Sequence, residues 1–275
     1  MKRILFLSAL VLTIGANAQD FPAPSPKAKV YQMVGLTEVE VEYSSPGKRD
    51  RKIWGGVVPY NEIWRTGANM ATKITFSDSV KIGNDVVEAG TYAIFTNPAD
   101  QSIQFIFNSD WNQGGTGNYE KSLDVARIKV PFNETKTTTE RMRFTIENTT
   151  TDAADLVLTW GNKKAEVPMT FFTDAKVAEN FEAKKKEFER EYALYSDGAN
   201  YYLDAGDLKR AREMAEKSVS MEEKFWNLHT LAKIYKDQGE KKLAMQTAEK
   251  SLKLAREADY QPYVRMNEKL ISELK

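Results

Sequence analysis

The sequence predicts an α+β protein with its elements in separate domains: an N-terminal antiparallel β-sandwich over residues 29–172, then a C-terminal all-α helical repeat over residues 173–275. Three observations predict it. Apolar and polar residues alternate in short runs from Lys29 to Phe172. The period becomes helical after Thr173-Asp174. A four-residue string then recurs 33 residues on, as Ala215-Glu216-Lys217-Ser218 and Ala248-Glu249-Lys250-Ser251.

In chain order, Lys2 and Arg3 precede an apolar run from Ile4 to Ile14, and Ala16-Asn17-Ala18 reads as a small-x-small cleavage site. This is a signal peptide over residues 1–18, because a membrane span needs about 20 apolar residues. Cleavage after Ala18 is expected, and no Cys follows to carry a lipid. No later run is long and apolar enough to span, so the mature chain is expected in the periplasm or outside the cell. Residues 19–28 contain Pro22, Pro24 and Pro26, which suit an extended Pro-rich tether.

Strands are expected at Val30–Val34, Thr37–Tyr43, Thr72–Ser77, Val80–Ile82, Val86–Val87 and Thr91–Thr96, the last ended by Asn97-Pro98. Further alternation runs through Ile103/Phe105/Phe107, Ile128/Val130/Phe132, Met142/Phe144/Ile146 and Leu156/Leu158/Trp160. Gly161-Asn162 then reads as a hairpin turn into Ala165/Val167/Met169/Phe171. Eight to ten alternating strands suit a sandwich with one wet face per sheet, with a barrel second.

Thr173-Asp174 is an N-cap pair, and Val177, Phe181, Phe188, Tyr192 and Tyr195 follow at helical spacing. The repeat offset also relates Ala199 to Ala232, Tyr202 to Tyr235, Gly206 to Gly239 and Ala211 to Ala244. Repeat one covers Tyr192 to Met221 and repeat two Phe225 to Ala258, with a capping helix from Pro262. The order small, Tyr, Gly, Ala, Ala resembles the tetratricopeptide repeat, with Gly198 standing where that repeat usually has Leu.

Composition removes several chemistries. There is no Cys, and His229 is the only His, which leaves no Ser-His-Asp triad, Cys-His pair or His-based zinc site. Lys+Arg and Asp+Glu balance at 39 each, without the basic excess a nucleic-acid binder needs. The glycines at 55–56 and 114–117 lack the Lys-Ser/Thr ending of a phosphate loop. Asn108, Asp110 and Asn112 alternate like calcium ligands, but Gly114 falls one place late and Glu120 misses the closing position. No metal and no cofactor is expected. Asp50, Glu62, Asp110 and Asp124 leave carboxylate-dependent hydrolysis open.

The block from Tyr43 to Thr72 concentrates Trp54, Trp64, Arg49, Arg51 and Arg65 among glycines. Its strings Tyr43-Ser44-Ser45-Pro46, Gly56-Val57-Val58-Pro59-Tyr60 and Trp64-Arg65-Thr66-Gly67-Ala68-Asn69 resemble the signature of a bacterial family, the domain of unknown function numbered 2911. Ala89-Gly90-Thr91-Tyr92, Trp111, Tyr119, Asp124 and Arg127 extend the resemblance from about Lys29 to Met169. Met70 stands where the family pattern has an acid. The resemblance implies an exported protein without an assigned activity, often followed by helical repeats.

Guanidinium forks bind carboxylate or phosphate, and Trp stacks on apolar or sugar faces. The expected ligand-binding set is therefore Arg49, Arg51, Trp54, Trp64, Arg65, Thr66, Asn69, Tyr119, Asp124 and Arg127, taking a small anionic or sugar ligand. The competing structural role has Arg65 paired with Asp124 and both tryptophans in the core. The leading expectation is a non-enzymatic binding protein whose residues 174–275 recruit a protein partner. The alternatives are a carboxylate-dependent hydrolase of cell-envelope glycan and a carbohydrate-binding module.

Overall fold

The structure, a computed structural model, describes residues 22–185 and 190–275. The leader with its cleavage after Ala18, Gln19 to Phe21 of the expected tether, and Phe188 lie outside the described residues. The chain divides into two compact units, residues 1–173 and 174–275. The first carries antiparallel β-sheets and the second is helical, an α+β chain.

The first unit has ten strands among the described residues: β1 (Lys27–Val34), β2 (Thr37–Ser44), β3 (Thr72–Phe76), β4 (Val80–Ile82), β5 (Asp85–Val87), β6 (Gly90–Pro98), β7 (Ser102–Asn108), β8 (Asp124–Pro131), β9 (Asn133–Glu147) and β10 (Ala153–Phe171). They form a six-stranded sheet, β1-β2-β3-β6-β7-β8, and a four-stranded sheet, β5-β4-β10-β9, antiparallel throughout. Val41, Ile74, Ile94 and Phe105 of the larger sheet share one buried cluster with Ile82, Phe144, Leu158 and Val167 of the smaller. Each such side chain contributes about 1.5–3 kcal/mol through burial. A second, smaller cluster covers the other face of β6 and β7, where Ala93, Phe95 and Ile106 meet Ala71, Ile63 and Tyr119 from two loops.

Three details differ from the expected strands. The hairpin at Gly161-Asn162 is not a turn. β10 runs unbroken through it for 19 residues, paired to β9 with register shifts on both sides of Gly161. Gly161 takes φ +61°, and the extra residue of a bulge changes which parity faces the core. Leu156, Leu158 and Trp160 are buried before it, and Ala165, Val167 and Met169 after it, which is the parity change that resembled a reversal. β9 also begins at Asn133, in a Thr-rich stretch mostly open to solvent that carries no apolar alternation. Finally, β6 continues through Asn97 and Pro98, which pair with Gln104 and Ile103.

The second unit holds α1 (Thr173–Lys185), α2 (Glu191–Asp204), α3 (Leu208–Met221), α4 (Phe225–Asp237), α5 (Lys241–Glu257) and α6 (Gln261–Glu273). The α2–α3 turn is repeated 33 residues on in the α4–α5 turn. Gly206 N–H bonds the Leu203 carbonyl as Gly239 bonds Lys236, and Asp207 bonds Tyr202 as Glu240 bonds Tyr235. Both glycines are left-handed, at φ +77° and +79°, which ends each first helix with little steric cost. Ser218 and Ser251 each donate to the carbonyl opening the preceding helix region, Tyr192 at 2.6 Å and Phe225 at 2.7 Å. Ala199, Ala211, Ala232, Ala244 and Ala248 are fully buried, and their small size permits close helix approach. Among the described residues no helix is long and apolar enough to cross a membrane.

Candidate functional site

The loop between β2 and β3 is clipped to the sheets rather than folded on its own. Ser45 donates to the Met142 carbonyl at 2.6 Å, and Lys48 N–H to the Glu140 carbonyl at 2.7 Å. Trp64 and Thr96 exchange two backbone bonds of 2.8 Å, so Trp64 continues the sheet alongside β6. Along this loop Arg49, Asp50, Asn61, Thr66 and Asn69 all take positive φ. For β-branched Thr66, at +55°, that conformation costs on the order of 1–3 kcal/mol. It is held by Thr66 Oγ1 on Thr96 Oγ1 at 3.1 Å and by Thr72 Oγ1 on the Thr66 carbonyl at 2.6 Å.

Beside the first half of this loop lies an open cleft of about 550 Å³. Its cations are Lys48, Arg51, Lys52 and Lys163, its anions Asp50, Asp100 and Glu134, with Trp54 and Tyr60 between them. Arg51 is pre-set: Nε donates to the Lys48 carbonyl at 3.0 Å and Nη2 to the Gly47 carbonyl at 2.6 Å. The Lys163 side chain is only 7% exposed. Its ammonium bonds the Asp100 carbonyl, stands 3.5 Å from Asp100 Oδ1 and lies 5.4 Å from the Phe132 ring centre. Tyr60 donates to Asp100 Oδ1 at 3.3 Å, and burial, then the Asp100 charge, raises its phenol.

Trp54 and Trp64 meet, but Trp54 is buried in the core and Trp64 is half-buried against it. Trp64 stacks on Trp160 at 5.9 Å, and Trp54 sits edge-on to Trp64, Trp160 and Phe132 at 5.7, 6.0 and 4.6 Å. The Trp54 indole N–H donates to the Trp160 carbonyl at 3.0 Å. Their faces are taken up by one another. Trp111, 42% exposed, lies on the loop after β7 under the Lys73 ammonium.

Tyr119, Asp124 and Arg127 come together where β8 begins. Asp124 Oδ2 accepts from Tyr119 OH at 2.8 Å and Arg127 Nε at 2.7 Å, and Oδ1 from Asn108 Nδ2 at 2.8 Å. Burial and then Asp124 push the Tyr119 phenol up to about 12, against the Arg127 charge. Asn108 is fully buried; its Oδ1 accepts from Asp110 N–H at 3.1 Å and its Nδ2 also bonds the Glu120 carbonyl. Both ends of the amide are thus spent on holding the loop.

Eight of the ten expected residues occupy four places, and Arg49 and Arg65 lie apart from them. Arg51 and Trp54 border the cleft. Trp64 and Thr66 lie against β6. Tyr119, Asp124 and Arg127 form the carboxylate hub. Asn69 lines a separate hollow of about 180 Å³ with Ser44, Met70 and Lys73, and donates to Ser44 Oγ at 3.2 Å. Arg49 is exposed against Glu140 and Pro24. Arg65 does not pair with Asp124, whose guanidinium partner is Arg127. Its half-buried side chain keeps a buried Nε with no hydrogen-bond partner among the described residues. Sequence reading missed Lys163, Asp100 and Glu134 as cleft residues and Trp160 as the third member of the indole cluster. For Lys163 the available signal is its place directly after Gly161-Asn162.

No curated protein and no solved structure matches the chain. A family model described as "Protein of unknown function (DUF2911)" matches residues 25–169, a span that contains the cleft loop, the indole cluster and the carboxylate hub. That span is more than half of the 275 residues, and the chain belongs to this family.

Proposed function

We propose that this is an exported, non-enzymatic binding protein. Its β unit, read as an antiparallel sandwich, holds a small anionic or sugar-like ligand in the cleft beside Arg51 and Lys163. Its helical unit, read as tetratricopeptide-like, recruits a protein partner. Export is supported by the basic start, apolar run and Ala16-Asn17-Ala18 of the leader.

The observation that carries the ligand reading is the convergence of Asp50, Arg51, Trp54 and Tyr60, all within the span matched by the family, with a nearly buried ammonium, Lys163, around one opening. A cation withheld from water, with its ammonium over the Phe132 ring, gains most from an anion that completes its coordination. Asp50, Glu134 and Asn162 supply acceptors and an amide for ligand hydroxyls. Binding is favoured over hydrolysis because both oxygens of Asp124 are engaged by Asn108, Tyr119 and Arg127. A sugar platform is disfavoured because Trp64 stacks on Trp160 and Trp54 is buried edge-on against both.

Thermal-shift measurements on the mature chain with simple carboxylates, phosphate esters, uronic acids and neutral sugars test this. At least one class is expected to raise the melting temperature, and Arg51→Ala and Lys163→Met to remove that rise while the free proteins stay folded. A ligand shift that persists in both variants would place the site elsewhere, and no shift from any class would end the reading.

A further inference from the structure

The face shared by α4 and α6 changes character along its length. At one end Phe225 stacks on Tyr260 at 5.2 Å and 24°, and lies 5.0 Å from the Tyr263 ring. Tyr260 is 47% exposed. One turn along α4, His229 meets Tyr263 edge-on at 5.5 Å. Beyond it opens a groove of about 270 Å³ lined by His229, Lys233, Lys236, Met266, Lys269 and Glu273. Positions 225, 229, 233 and 236 share one helical face by their spacing, as 263, 266, 270 and 273 do on α6. The surface is thus aromatic at one end and cationic at the other.

The cationic end is not neutralised from within. Lys236 reaches Glu273 at 2.8 Å and Lys269 reaches it at 4.0 Å, three ammoniums to one carboxylate across the groove. Lys233 is half buried, and no carboxylate pairs with it among the described residues.

We propose that this groove docks an acidic segment of a partner protein, with an apolar or aromatic side chain against Phe225, Tyr260 and Tyr263 and carboxylates at Lys233 and Lys269. This rests on the reading of the helical unit as partner-recruiting. Aromatic anchors beside complementary charge are the usual makings of a peptide-docking surface. A polynucleotide suits it less well, because three lysines facing a glutamate release few counterions and the chain has no basic excess.

His229 is the only His in the chain and so gives one unambiguous set of imidazole signals in NMR spectra. Burial, and to a lesser degree the Lys233 charge, hold it below the usual imidazole range against the opposing hydrogen bond with Asn267. A carboxylate seated on Lys233 offsets that charge and raises the titration midpoint.

The probes are the synthetic peptide Trp-Gly-Asp-Glu-Glu-Asp, its charge-reversed counterpart Trp-Gly-Lys-Arg-Arg-Lys, and an oligothymidylate, each titrated into the mature full-length chain. The acidic peptide is expected to shift the His229 signal and raise its midpoint, and to bind about tenfold more weakly to K233E/K269E. K233Q, which removes charge without reversing it, is expected to fall between. Equal binding of the basic peptide, preferential binding of the oligonucleotide, or unchanged affinity in both variants would overturn the groove. Random-peptide selection on the same chain separates the two levels. Enrichment of non-acidic peptides would refute the groove but not recruitment, and no enrichment at all would remove both.

Discussion

Tyr119 and Arg127 converge on a single oxygen of Asp124, the phenol at 2.8 Å and the guanidinium Nε at 2.7 Å, while Asn108 takes the other oxygen. The Asp124 side chain is 6% exposed, so this carboxylate is a buried hub joining β7, β8 and the intervening loop. Asp124→Ala leaves three donors without their acceptor, one of them charged. We expect a loss of about 2–4 kcal/mol in the β unit. Urea unfolding followed by tryptophan fluorescence reads it, since Trp54 and Trp160 lie in that core and Trp64 packs against it. Stability within about 0.5 kcal/mol of the parent would mean the hub is dispensable.

The same hub sets an alkaline limit. Tyr119 is pushed up to about 12 in the folded chain, while an unfolded tyrosine titrates near about 10. The folded state holds the phenolic proton more tightly, so this contribution is complete below about pH 10 and is lost as pH rises towards 12. Tyr119→Phe is expected to flatten that part of the stability profile of the β unit. It leaves the helical unit unchanged, where Tyr235, raised to about 12 by burial and Glu216, gives its own alkaline loss. Urea midpoints across this pH range, read separately by tryptophan fluorescence and far-UV circular dichroism, check the assignment.

What the sequence made legible follows from local periodicity. Alternation at Ile103/Phe105/Phe107 and helical spacing after Thr173 are written in neighbouring residues, and both elements stand where they were read. Gly161-Asn162 was ambiguous for a physical reason. A tight turn and a bulge both need a left-handed Gly and both change the buried parity, and only pairing with β9 along the whole of β10 separates them. The site was legible in residue type but not in partnership. Arg65 and Arg127 are equivalent as sequence, yet only Arg127 lies three residues from Asp124 at the start of one strand. Lys163 enters the cleft from more than a hundred residues beyond Arg51, through a bulge that no short-range pattern announces.

In the helical unit, Asn267 is the buried polar keystone. Its Nδ2 donates to Ser251 Oγ and the Tyr263 carbonyl, both at 2.8 Å, and its Oδ1 lies 2.8 Å from His229 Nδ1. Asn267→Ala strands the imidazole nitrogen and takes a donor from Ser251 Oγ in a buried site. A loss of about 2–3 kcal/mol is expected, confined to the helical transition. Circular dichroism should show it while the tryptophan-monitored β transition holds its midpoint, apart from the minor share of signal due to Trp226. Simultaneous loss of both transitions would show that the units do not unfold independently.

Gly198 stands where the proposed tetratricopeptide-like reading calls for Leu, and neighbouring side chains fill the space beside it. A Cβ there would stand 2.5 Å from Met214 Sδ and 3.7 Å from Phe181 Cε2, so a methionine from α3 and a phenylalanine from α1 occupy the space. Gly198→Ala gains about 1 kcal/mol of helix propensity, but must displace the flexible end of Met214. The two effects nearly cancel, and a change within about 1 kcal/mol is expected. Gly198→Leu demands the whole Met214 volume and should cost about 2–3 kcal/mol. Met214→Ala alone leaves a void and also destabilises. Combined, Leu at 198 fills what Met214 vacates, so the double variant should be markedly more stable than the sum of the single losses. Additive losses in thermal melts of all three variants would show that Met214 does not stand in for the missing leucine.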